Sequence, residues 1–100
     1  MGTRLRKTSG TATIQSYQAE VPLEPDYMQY VSPVDIRSLY FQSEWATDFL
    51  IMFADGRKGV RELAHRADLA KRAMVERLEL SRRYWVARDI DEWKVVLVDE

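Results

Sequence analysis

The chain has 100 residues, 46% apolar and 31% charged, with a formal net charge of −1 and no cysteine. That length and balance fit one globular domain. The absence of cysteine excludes a disulfide framework, a zinc–thiolate site and a thiol nucleophile, and suits a cytoplasmic setting.

The start, "MGTRLRKTSG", is basic but has no apolar stretch behind it, so it is not a secretory signal. Arg6 stands where a myristoylation motif needs Ser or Thr. No apolar run approaches the ~20 residues that cross a bilayer, so no membrane association is expected. Residues 1–31 read as an N-terminal arm and connector, with the first ten packing against little. "TATIQSYQAEV" has strand composition, although Ile14 and Tyr17 fall on opposite faces of a regular strand. "VPLEPDYMQYVSP" carries all three prolines and reads as a connector.

Residues 32–100 read as the folded domain. Ser32-Pro33-Val34-Asp35 is a good helix start. The spacing of Ile36, Leu39, Tyr40, Phe49, Leu50 and Phe53 predicts one helix or two up to Asp55-Gly56, which would end it. Within it, "LYFQS" resembles a viral protease cleavage sequence by coincidence. A short helix is predicted over 60–67, a turn at Asp68 and a helix over 70–82. Tyr84–Arg88 and Trp93–Val98 have the β-branched and aromatic content of strands, joined by a hairpin loop at 89–92.

"LAHRADLAKRAMVERL" resembles the winged helix-turn-helix superfamily. Leu63 and Ala64 match the first helix, Leu69 the apolar plug, and Met74 and Leu78 the inward positions of the second. Asp68 replaces the usual glycine and Ala70 the usual Ser or Thr cap. The resemblance implies an α+β fold of three helices followed by a C-terminal two-stranded hairpin. Leu63, Ala64, Leu69, Met74, Leu78, Val86 and Val96 would be buried together. It also implies a DNA-binding transcriptional regulator, docking residues 70–83 in a major groove as a homodimer.

Charge is unevenly distributed: +3 over residues 1–10, −6 over 11–56, +6 over 57–88 and −4 over 89–100. Arg57, Lys58, Lys71, Arg72, Arg77, Arg82 and Arg83 are the candidate DNA contacts. In the 57–88 segment bases outnumber acids ten to four, so local pairing cannot neutralise all of them. The wing tip is acidic (Asp89, Asp91, Glu92) and would repel phosphates. That favours the alternative, a protein–protein interaction module: an adaptor, a peptide-recognition domain or an inhibitor, including one encoded by a phage. Tyr27, Tyr30, Trp85 and Trp93 are its candidate interface residues. The lone His65 has no triad or metal companions in the sequence pattern, and no close carboxylate pair is evident. Neither an enzyme nor a metal or other cofactor is expected.

Overall fold

Asp55-Gly56 lies between two apolar runs, and it folds the chain back on itself. Gly56 adopts φ +92°, and the Phe53 amide donates to the Arg57 carbonyl at 2.9 Å. The result is a hairpin of two strands. In the computed structural model, which describes residues 13–99, the order of elements is β1 (Ile14–Pro22), 3-10 turns at Pro25–Tyr30 and Ser38–Gln42, β2 (Ala46–Phe53), β3 (Lys58–His65), a 3-10 turn at Arg66–Asp68, α1 (Arg72–Ala87) and β4 (Glu92–Val98). The expectation for residues 1–10 lies outside the described residues.

The strands form one sheet in the order β1-β2-β3-β4. β1 and β3 are antiparallel to β2, whereas β4 runs parallel to β3, with Val60 opposite Trp93 and Leu63 opposite Val96. Parallel neighbours need a crossover, and α1 supplies it. One face of α1 buries Glu76, Leu80, Ser81, Tyr84 and Trp85, at helical spacing. Leu80, Tyr84 and Trp85 join Leu23, Val31, Ile36, Tyr40 and Val60 in the core. The connector is fastened to the helix end. The Glu24 amide donates to the Tyr84 hydroxyl at 2.9 Å, and Arg88 donates to Glu24 while stacking 4.1 Å from the centre of the Tyr27 ring.

This architecture corrects the winged-helix expectation. Among the described residues there is one α-helix, not three, and no C-terminal hairpin. The stretch from 33 to 54 contains a 3-10 turn and a strand, because Ala46–Phe53 is a short apolar run that pairs on both sides. The predicted helix at 60–67 is mostly strand β3. Tyr84–Ala87 continue α1 rather than forming a strand: Tyr84 and Trp85 sit one turn beyond Leu80 and Ser81, so the helical path buries both rings. Trp93–Val98 is a strand, but its partner is β3. Of the residues expected in the core, Ala64 is buried, while Leu63, Leu69, Val86 and Val96 are exposed.

Candidate functional site

The two faces of the sheet differ. Val60, Glu62 and Ala64 of β3 point under α1 and are buried, so Arg61 and Leu63 point to the other side. Among the described residues no helix covers that side. Its surface is a shallow groove of about 300 Å³ lined by Ile14, Tyr17, Phe49, Ile51, Arg61, Leu63 and Val96. All four strands contribute to it. Ile14 and Tyr17, which strict alternation would separate, share this groove because the β1–β2 register shifts between Ile14 and Ser16. Tyr17 is 67% exposed and meets the Phe49 ring edge-on at 5.9 Å. Ile14, Leu63 and Val96 are also exposed. Arg61, the one charged residue among the described residues that line the groove, is paired with Glu92, which holds the Glu92 carboxyl below its usual range.

The predicted DNA contacts are scattered rather than gathered. Arg57, at the hairpin turn, pairs with Asp55. The Lys58 amide donates to Asp91. Lys71 pairs with Asp68, Arg72 with Glu76, and Arg82 and Arg83 both with Glu79. Arg83 also donates to the Ser32 and Val34 carbonyls. Among the described residues every Lys and Arg from 57 to 88 except Lys58 has a carboxylate partner. Many of those partners come from outside the segment: Asp48, Asp55, Glu24, Glu92 and Asp99. Local counting could not foresee this.

The aromatic candidates divide. Trp85 is buried and donates its indole N–H to Thr47 at 2.6 Å; Trp93, half-buried, donates to Ser81 at 3.0 Å. Tyr27 packs on Tyr84, and Tyr30 is exposed. The sequence reading places Leu63 and Val96 together, but inside a winged-helix core; as partners on β3 and β4 they are neighbours on the open face, where both are exposed.

A second feature, not evident in the sequence, links the carboxylates of Asp48 and Glu62 to the backbone between β2 and β3. The last rung of the β2–β3 ladder at this end is Phe49–Arg61. Beyond it the side chains of Asp48 and Glu62 take over. The Leu63 amide donates to Asp48 at 2.7 Å, and the Asp48 amide donates to Glu62 Oε1 at 3.1 Å. Glu62 Oε2 also accepts from the Thr47 and Ser81 hydroxyls, which in turn accept the Trp85 and Trp93 indoles. Arg77 reaches within 3.9 Å of both carboxylates. Burial pushes the Glu62 carboxyl above its ordinary range, against the hydrogen bonds and Arg77, which hold it down. Asp48 and Glu62 lie fourteen positions apart on the two arms of the hairpin, which is why no sequence motif flagged them. Among the described residues no group of three or more His, Cys, Asp or Glu side chains could hold a metal ion, and no helix is long and apolar enough to cross a membrane.

No family model matches this chain, and no curated protein matches it.

Proposed function

We propose that this protein is an interaction module whose open sheet face receives the apolar surface of another polypeptide. The observation that carries this reading is the groove itself. A sheet buries an apolar face against a second layer, and α1 covers only the opposite face. Contiguous exposed apolar surface of this kind marks interaction sites. Tyr17 gives a large, stiff anchor of the type enriched at binding hot spots. The reading is tested by placing a photo-crosslinking residue at Tyr17 or, as a control, at Val75 on the outer side of α1, in the protein's own cells. A discrete adduct from position 17 and none from 75 is the expected outcome. Equal labelling from both would overturn the reading.

A second reading is favoured by the convergence of Asp48, Glu62 and Arg77. The pair lies at the end of the sheet where β3 leads through Arg66 to Lys71 and Arg72. Surface ion pairs such as Arg66–Asp99 and Lys71–Asp68 contribute only about 0–1 kcal/mol each and exchange easily for phosphates. A magnesium ion is typically held by one or two carboxylates together with substrate phosphates. In this reading the ligand is nucleic acid, and Asp48, the more exposed acid, meets the ion. Duplex binding at low salt that is strengthened by magnesium and lost in Asp48→Asn would support it. Binding indifferent to magnesium and to that substitution would reject it.

A further inference from the structure

The nature of the groove narrows its occupant. The Arg61–Glu92 pair neutralises itself within the face, with side chains only 19% and 24% exposed. A covering layer therefore meets a mainly apolar surface, bordered by the exposed Lys94, which stands opposite Arg61 on the edge strand β4. Residues 1–12 do not match such a surface, since Met1 and Leu5 are their only large apolar residues, beside three bases and no acid. Association through the β1 edge is not favoured either. That edge is blunted by the register shift near Ile14, by Glu20 at φ +54° and by Pro22.

Size points the same way. Four strands about 4.8 Å apart and eight residues long at about 3.3 Å each present a footprint of roughly 500 Å². Two such faces bury roughly 1,000 Å² together, the lower bound for a specific interface. A single helix, about 10 Å across, would leave close to half the width open. From these features, and resting on the docking reading above, we infer that the open face packs against the same face of a second copy. The two sheets stack about 10 Å apart around a two-fold axis, with the helices outside. Tyr17, Leu63 and Val96 of each copy lie in the shared core, and the two Arg61–Glu92 pairs lie beside it.

Sedimentation of the full-length chain tests this at about 1–200 µM, the range over which a marginal interface assembles. The expected result is a species of twice the 11.7 kDa monomer mass. Val96→Glu and Tyr17→Ser each change an exposed side chain. Val96→Glu should weaken the dimer by roughly 100-fold, since it buries an unpaired charge. Val86→Glu, on the outer side of α1, should leave it intact. A monomer throughout, or a dimer that both groove variants leave unchanged, would overturn the inference. An apolar dye then separates the two ideas. Dye bound by a monomeric wild type and lost in Val96→Glu would leave the docking reading standing with a different occupant. No such binding would remove both.

Discussion

Glu62 shows how a single residue can make a strand hard to read. Its side chain is 1% exposed while Leu63, next to it, is 38% exposed, so the alternation of β3 is inverted where the two meet. A carboxylate inside and a leucine outside break the polar–apolar alternation that marks a strand, while Leu63 and Ala64 fit the first helix of the helix-turn-helix resemblance. The buried carboxylate is tolerable because Thr47, Ser81 and the Asp48 amide all donate to it. Glu62→Ala would leave those donors unpartnered and should cost on the order of 3–5 kcal/mol in urea unfolding. Glu62→Gln tests the charge. The carboxyl is raised in the folded state, so its contribution is full below the ordinary value of 4.5 and declines as pH rises through the folded value. The stability gap between wild type and Glu62→Gln should therefore move in favour of Gln from pH 4 to pH 7. A constant gap would show that Glu62 does not titrate differently in the fold. Glu79 behaves oppositely. The Arg82 side chain, with Arg83, holds it down at about 2, so its contribution is present above pH 4.5 and lost as pH falls through 2. Glu79→Gln should lose up to about 1 kcal/mol at pH 6 and almost nothing at pH 2, the exposed pair being screened by solvent.

At the scale of elements, some signals were present and some were overridden. Asp-Gly between apolar runs is the strongest short hairpin signal, but it also reads as a helix stop; only the pairing of Phe49–Met52 with Lys58–Arg61 decides between them. The strand composition of "YWVAR" was overridden by tertiary packing, since a helix places Tyr84 and Trp85 in the core and a strand would separate them. The ends of α1 explain why its limits were misjudged. Lys71 stands at the N-cap with no side-chain bond to the helix, and Asp89 stands at φ +60° where glycine is usual. Asp89 nevertheless closes a Schellman motif: its amide donates to Val86 and the Ile90 amide donates to Trp85. Both positions are open to improvement. Lys71→Ser should supply the missing cap and remove a positive charge from the positive end of the helix dipole, adding about 1 kcal/mol. Asp89→Gly should add up to about 1 kcal/mol by relieving the left-handed conformation. Thermal unfolding of the two variants checks this; a fall in either midpoint would show that the end in question is set by contacts of the native side chain.

For the whole molecule, the distribution of burial predicts how it opens. β2 and β3 are paired on both sides, and the face of β3 under α1 carries Val60, Glu62 and Ala64 at or below 2% exposure. β1 is an edge whose residues are exposed except for Val21, and its outward amides meet solvent. Local opening follows such differences. In native-state hydrogen exchange, the paired amides of β2 and β3 and those of Leu80–Trp85 should exchange only through global unfolding. Amides of β1 between Ser16 and Ala19 should exchange earlier, by fraying of the edge. The measurement also bears on assembly. Face-to-face pairing leaves the β1 edge free, so raising protein concentration should slow exchange throughout the core by stabilising the fold while the outward β1 amides stay fast. If instead the β1 amides alone became protected with concentration, the copies would be joined edge to edge, and the open face would still be waiting for its partner.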